Sequence, residues 1–189
     1  MDELLWSMAR TSGIISLCLL TGSVLLGIVN RSGRPLGPFS RYSLSLMHRS
    51  FSLLSVLFVG VHVITLLGDS YAKMHVIDLV IPFLGDYKPF WQGLGTLSLL
   101  LMLLIAASGL LRQKLSPRVF KGIHLSSYLL WPIAMAHGLG NGSDAVSLWY
   151  QAAAILSMVL FLSAVIWRLS TNFHDRSAIR RQAREGVKL

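Results

Sequence analysis

Four of the six histidines occur as two pairs within apolar segments of the sequence. His48 and His62 are fourteen positions apart in HRSFSLLSVLFVGVH, and His124 and His137 are thirteen positions apart in HLSSYLLWPIAMAH. Because an α-helix rises about 1.5 Å per residue, each pair would span roughly 20 Å along its helix axis. That distance covers most of a hydrocarbon core about 30 Å thick. The spacing therefore predicts imidazoles at two depths in a membrane.

An imidazole in hydrocarbon is costly unless it binds something, so a histidine in a membrane segment is a candidate functional residue. A zinc site would need further ligands, but neither histidine segment contains Cys, Asp or Glu. A b-type haem needs only two axial nitrogens and an apolar slot. If the segments run parallel, His48 faces His124 at an inner level and His62 faces His137 at an outer level. The pattern predicts two haem b groups with these histidines as axial iron ligands.

Helical phase agrees with this arrangement for the first pair and leaves the second open. Fourteen residues turn an ideal helix by about 1400°, which returns His62 to within about 40° of the face of His48. Thirteen residues leave His137 about 140° away from His124. A change of twist at Pro132, which removes a backbone hydrogen bond, would bring His137 round. Alternatively, the two haems would lie on different sides of this segment.

The composition is that of an integral membrane protein. The chain is 53% hydrophobic and 13% charged, with a mean hydropathy of +0.62, whereas soluble domains contain about 25% charged residues. Five apolar segments are long enough to span a bilayer. They predict a single all-α domain over residues 1–189, a five-helix transmembrane bundle. The spans are expected near residues 11–29, 44–67, 90–111, 119–139 and 147–167, with a basic tail over 168–189.

The basic residues predict the orientation of the bundle. With the N-terminus outside, all but three of the 17 Lys and Arg residues lie in cytoplasmic loops and the tail, as the positive-inside rule expects. The three exceptions are Arg10, Lys73 and Lys88. The predicted topology is N-out and C-in, in the inner (plasma) membrane. The net charge of +9 then reflects loops that face the lipid bilayer and requires no nucleic-acid partner.

Several other residues near the histidines are candidates for supporting roles. Arg49, beside His48, and Arg10, at the outer end of the first segment, are candidate partners for haem propionates, although membrane-end charges commonly extend to headgroups. His75 and His174 have no matching partners and are expected at the surface. Glycines beside the histidines would let a porphyrin approach, or would let helices pack. These glycines are Gly60, Gly122 and Gly138.

The external side is expected to be acidic. The outer haem would lie beneath the connection 68–89 and the GLGNGSDA turn that follows His137. Carboxylates on this side would attract a cationic metal or a basic partner by electrostatic steering, or would merely reflect the topology. The acids concerned are Asp69, Asp78, Asp86 and Asp144.

The histidine spacings on alternate helices resemble those of the ferric reductase-like transmembrane domain. That family includes eukaryotic ferric reductases, the NADPH oxidase membrane domain and the haem-binding subunit of bacterial methionine sulfoxide reductase. The resemblance runs from ARTSG through HRS, SGLLR and GIH to HGLGNGSDA, and it is strongest to short bacterial members of actinobacterial type. It implies that the four paired histidines are the axial haem ligands. Oxidase-type members, however, usually have six helices and a cytosolic flavin- and nicotinamide-binding domain, for which this chain has no GxGxxG loop.

Together these features predict a transmembrane di-haem cytochrome b that relays electrons as the membrane component of an oxidoreductase. No catalytic residue is expected in the chain itself. Electrons would arrive from a separate flavoprotein carrying FAD or FMN, or from quinol, and an external metal chelate or redox protein would accept them. The alternatives are a quinol-linked cytochrome b anchor subunit and a haem-free membrane transporter or structural protein.

Overall fold

The computed structural model describes residues 2–32, 37–70, 72–171, 173 and 175. In this part of the chain the secondary structure is helical, as the sequence predicts, with six α-helices and a short 3₁₀ helix, Val76–Leu79. The α-helices are α1 (Asp2–Ser32), α2 (Arg41–Gly68), α3 (Pro89–Leu110), α4 (Pro117–Leu125), α5 (Ser127–Asn141) and α6 (Leu148–Leu169).

Four of these helices, α1, α2, α3 and α6, are long and apolar enough to cross a membrane. The remaining segment, expected as one helix near residues 119–139, consists of the shorter helices α4 and α5 in succession. The chain is thus an all-α membrane protein in which one of the five apolar segments is broken.

The break lies at Ser126. Its backbone N–H bonds to the carbonyl of Ile123 at 3.1 Å, and its hydroxyl donates to the same carbonyl at 2.6 Å. This i→i−3 pattern is a 3₁₀-type turn, which is wound more tightly than an α-helix. A tighter turn thus lies between His124 and His137 at Ser126, and Pro132 lies inside α5 without ending it.

Helix α1 lies at the centre of the bundle. It packs along α2 and also contacts α5 and α6. Small polar side chains bond across these interfaces: the hydroxyls of Ser16 and Ser55 are 3.2 Å apart, and Trp131 Nε1 donates to Thr21 Oγ1 at 2.9 Å. Such residues let membrane helices approach closely and hold them together.

The two histidine-bearing elements have different supporting helices. Helix α2 packs mainly against α1, and α5 packs mainly against α3. Among the described residues, α2 makes no extensive contact with α4 or α5. Space is therefore left between the histidine-bearing helices, and the side chains of the paired histidines reach into it.

The connection between α2 and α3, which the sequence predicts to be external, folds back onto α3. Asp78, in the 3₁₀ helix, accepts the backbone N–H of His75 through its carboxylate at 2.8 Å. Its backbone carbonyl accepts the hydroxyl of Thr96 on α3 at 2.7 Å. These bonds hold the connection over one end of the space between the helices.

Candidate functional site

The outer pair of histidines, His62 and His137, face each other across the space between α2 and α5. Their ring centroids are 6.4 Å apart and their planes cross at 82°. Nδ1 of His62 lies 2.7 Å from the carbonyl of Ala9 on α1, and Nδ1 of His137 lies 2.8 Å from the carbonyl of Trp91 on α3. Because a carbonyl only accepts, each Nδ1 carries the proton. In the neutral imidazole, Nε2 is then left with a free lone pair.

The rings of the inner pair, His48 and His124, have nearly the same relative geometry as those of the outer pair. Their centroids are 6.0 Å apart and their planes cross at 81°. Nδ1 of His48 donates to the carbonyl of Ser23 on α1 at 2.8 Å. The ring of His124 instead stacks on Phe120, with centroids 5.2 Å apart, and its buried Nδ1 has no hydrogen-bond partner among the described residues.

Both separations match two imidazoles bound to opposite sides of one metal ion. A metal–imidazole bond is about 2.0 Å long and the ring centre lies about 1.1 Å beyond the nitrogen, so the centroids of such a pair are about 6 Å apart. The observed values are 6.0 and 6.4 Å. Within the described ranges there is no group of three or more His, Cys, Asp or Glu side chains that would hold a metal ion by themselves. The pairs therefore fit a metal whose remaining ligands come from a cofactor.

The outer imidazole on α2 rests on a gap in the surface of α1. Gly13 follows the acceptor Ala9 by four residues, and a Cβ at Gly13 would lie 3.0 Å from Nδ1 of His62. In an α-helix the carbonyl of one residue points toward the residue four positions later. A side chain there would cover the second lone pair of that carbonyl. We call such a carbonyl, with the glycine that follows it by four residues, a histidine seat.

Two further histidine seats have the same form. Gly27 follows Ser23 by four residues, and a Cβ there would lie 3.2 Å from Cε1 of His48. Gly95 follows the acceptor on α3 by four residues, and a Cβ there would lie 2.6 Å from Cε1 of His137. A larger residue would press on the ring at each position, most at Gly95 and least at Gly27, and glycine avoids this because it has no Cβ.

The space at the outer pair is a cavity of about 530 Å³ between α1, α2, α3 and α5. It is also lined by residues of the connection between α2 and α3, such as Tyr87, and by residues of the turn after α5, such as Asp144. Cofactor cavities typically measure about 300–1,000 Å³ and are mostly apolar. The volume, the lining and the two free Nε2 atoms together suit a flat cofactor with a central metal.

The family model for the ferric reductase-like transmembrane component matches residues 12–135. The chain belongs to this family. The matched range includes three of the paired histidines, and His137 lies just beyond its end. No match was found among the curated proteins or the solved structures. Family membership makes the chain a multi-pass component of a membrane oxidoreductase. Domains of this kind generally bind haem, and the residues present here fit that group.

The two arginines singled out in the sequence occupy different environments in this ferric reductase-like chain. Arg10 lines the outer cavity, where its Nε lies 3.2 Å from Asp144 and its guanidinium lies 4.7 Å from the centre of the Trp6 ring. Arg49 is exposed on α2. Arg112, which the sequence analysis did not single out, lies 5.1 Å over the ring of Phe120, which stacks on His124 of the inner pair. Arg10 and Arg112 thus have observed contacts that connect them to the outer and inner levels.

The expected acidic external face does not form. Asp69 and Asp78 are only 4% and 3% exposed, and Asp144 is paired with Arg10. Of the four acids, Asp86 alone is exposed among the described residues. The carboxylates serve contacts within the protein, because the connection folds inward onto the helix ends. His75 is exposed as predicted, whereas the expectations for His174 and for most of the tail 168–189 concern residues outside the described ranges.

The glycines that contact the imidazoles were not singled out by the sequence analysis, which considered those on the histidine segments. At Gly60 and Gly122 a Cβ would meet no described atom within 4 Å, and at Gly138 it would meet the hydroxyl of Tyr150. The contacting glycines lie on the helices that precede the histidine segments. On α1 they are fourteen positions apart, the same spacing as the histidines on α2. This shared fourteen-residue spacing is the feature of the sequence from which the contacting glycines on α1 could have been identified.

Proposed function

We propose that the chain is a di-haem b-type cytochrome, the electron-relaying membrane component of a ferric reductase-like oxidoreductase. In this proposal His48 and His124 bind the iron of an inner haem, and His62 and His137 bind that of an outer haem. The observation that carries it is the pair of centroid separations, 6.0 and 6.4 Å, with three of the four Nδ1 atoms bonded to backbone carbonyls.

The surrounding residues would prepare the histidines for this role. Histidine ligands in metal sites almost always donate their other N–H to a carboxylate, a carbonyl or a water, which fixes the ring and raises its basicity. The carbonyls of Ala9, Ser23 and Trp91 do this here. The glycines of the three seats let the imidazoles approach the helix backbone closely. Arg10 and Arg112 are the candidate partners for propionates at the outer and inner levels; the predicted role of Arg49 stays a proposal.

Haem b, when bound at both levels, supplies one-electron carriers, so that the two levels form a path for single electrons across the bilayer. The chain contributes the depth of the two levels, since fourteen residues of α2 separate its histidines by roughly 21 Å. We propose an N-out, C-in topology in the plasma membrane, on the strength of the basic cytoplasmic loops.

The partners follow from the same proposal. A separate flavoprotein with FAD or FMN, or quinol, would donate electrons, and an external metal chelate or redox protein would accept them. The buried acids of the external side give no support to electrostatic attraction of a cationic acceptor. The acceptor would therefore meet the cover formed by the external connection and the turn after α5.

The haem content of the purified protein tests the function directly. We expect about two haems per chain, with a split α-band on dithionite reduction. Alanine variants should fall into two spectral classes by level: His48→Ala with His124→Ala, and His62→Ala with His137→Ala. His75→Ala, on the exposed histidine, is the control and should keep both haems. A colourless preparation from haem-replete cells, or classes that follow the helices instead of the levels, would contradict the proposal.

A further inference from the structure

The three histidine seats follow one rule along the chain. On α1 the seats begin at Ala9 and Ser23, fourteen positions apart, and they hold the histidines of the next long helix, α2. On α3 a seat begins at Trp91 and holds His137 of α5. Helix α1 followed by α2, and helix α3 followed by α4 and α5, are thus two copies of one arrangement. In each copy a supporting helix precedes the helical segment that carries two histidines.

The first copy predicts a second seat on α3. Moving fourteen positions along from Trp91 and Gly95 leads to Ile105 and Gly109, which are again an acceptor position and a glycine four residues later. Fourteen residues return an ideal helix to within about 40° of the same face, roughly 21 Å further along. The histidines that follow α3 differ in depth by a similar amount, since thirteen residues of helix rise roughly 20 Å. Ile105 and Gly109 therefore lie on the appropriate face and at the appropriate depth for His124.

The imidazole that lacks a seat is the one that this position would serve. Nδ1 of His124 is buried and has no hydrogen-bond partner among the described residues, whereas the other three Nδ1 atoms each have a carbonyl. Leaving a buried donor unsatisfied costs about 1–3 kcal/mol. Helix α4 contacts α3, so α3 is a neighbouring helix whose backbone could supply the missing acceptor.

The second seat on α3 is open to receive such a ring. A Cβ at Gly109 would meet no described atom within 4 Å. The carbonyl of Ile105 accepts the hydroxyl of Ser108 at 2.7 Å. A carbonyl has two lone pairs, so beside its helical bond this oxygen could take an imidazole N–H in place of the Ser108 hydroxyl.

We propose that Ile105 and Gly109 form the fourth histidine seat, in which the Ile105 carbonyl accepts Nδ1–H of His124 once the inner haem is bound. This inference rests on the proposed function, since the inner haem is what orients the ring. Ile105 and Gly109 are positioning residues: they act on the haem through His124. The seat makes the inner and outer levels equivalent, with two anchored imidazoles at each.

Valine substitutions on α3 test the fourth seat. Gly109→Val should cover the Ile105 carbonyl and remove or displace the inner haem, so that the haem-to-protein ratio falls by about half while the outer spectrum is kept. Gly95→Val should do the converse, because its side chain would overlap His137. Ala107→Val is the matched control: it lies at the same depth, exposed on another face of α3, and should keep both haems. The readouts are the haem-to-protein ratio and the redox midpoint of each haem. The variants His124→Ala and His137→Ala show which signal belongs to the inner and which to the outer level.

The outcome separates the seat from the function. If Gly109→Val keeps both haems with unchanged midpoints while Gly95→Val loses the outer one, the fourth seat is wrong and the di-haem function stands. A wild-type protein without haem would overturn the function itself. If Gly109→Val does not fold, Ser108→Ala decides. Freeing the carbonyl from the Ser108 hydroxyl should strengthen the bond to His124 and lower the inner midpoint alone, and an unchanged inner midpoint would overturn the proposal.

Discussion

Alanine at Gly95 adds a single methyl group that should disturb the outer haem site without harming the fold. Its Cβ would lie 2.6 Å from Cε1 and 2.7 Å from Nδ1 of His137, where ordinary contacts begin at 3.4 Å. The ring must therefore retreat by about 0.8 Å, because the close-packed interior leaves the helix backbone little room to yield. The bond from Nδ1 to Trp91, now 2.8 Å, would stretch to about 3.6 Å, which is no longer a hydrogen bond.

The expected loss follows from these displacements. Metal–ligand distances tolerate only about 0.2 Å, and loss of a hydrogen bond behind a ligand typically lowers metal affinity by about 10–100-fold. We expect Gly95→Ala to weaken binding of the outer haem by that order, which is about 1.4–2.7 kcal/mol. The fold itself should gain slightly, since alanine is favoured over glycine inside a helix by about 1 kcal/mol. Loss of haem would then not result from unfolding.

A graded series measures this effect. Haem retention during dilution and the reduced spectrum are recorded for Gly95→Ala, Gly13→Ala and Gly27→Ala. The distances from a Cβ to the nearest imidazole atom are 2.6, 3.0 and 3.2 Å, so the losses should decrease in that order. Gly27→Ala, which requires a shift of only about 0.2 Å, should remain close to wild type. Equal retention in all three variants would refute the argument that clearance at the glycine seats positions the ligands.

Two further predictions concern the geometry and the packing of the bundle. The imidazole planes cross at 81° and 82°. If haem iron were bound between such rings, the two iron orbitals that accept electron density from the rings would be nearly equal in energy, so the oxidised protein should give highly anisotropic low-spin signals in electron paramagnetic resonance. Ordinary rhombic signals at both levels would contradict the observed ring orientation. Trp131→Phe removes the Nε1 donor from the buried hydroxyl of Thr21 and should lower the free energy of unfolding by about 1–3 kcal/mol, as followed by thermal melting in detergent. Adding Thr21→Val should recover part of this loss, and strictly additive losses would show that the bond contributes nothing.

Local features of the sequence were enough to predict the class of the protein and the relation between its histidines. Apolar segments of spanning length report helices in a bilayer, because every backbone group there must be bonded within its own segment. The rise of an α-helix then converts residue spacing into depth, so that His48 was expected to face His124, and His62 to face His137. The structure places the rings in those pairs. The orientation of the helices, the identity of the membrane and the binding of iron by the histidines stay predictions.

Tertiary structure decided what surrounds the histidines. The chain breaks at Ser126, whose hydroxyl donates to the carbonyl of Ile123, whereas the sequence offered a change of twist at Pro132 as one of two alternatives. Likewise, Asp144 was expected to be an external charge, but it meets Arg10 from a helix that is distant in the sequence.

The histidine seats combine both kinds of information. The equal spacing of Gly13 and Gly27 on one helix and of the histidines on the next is visible in the sequence, but its meaning is not, because a glycine within a helix has several uses. Only the packing of α1 against α2 shows that each glycine bares a carbonyl to an imidazole. Spacing along one helix is a local property and can be read directly. The partner that a helix face meets is set by the association of segments distant in sequence, and that required the folded chain.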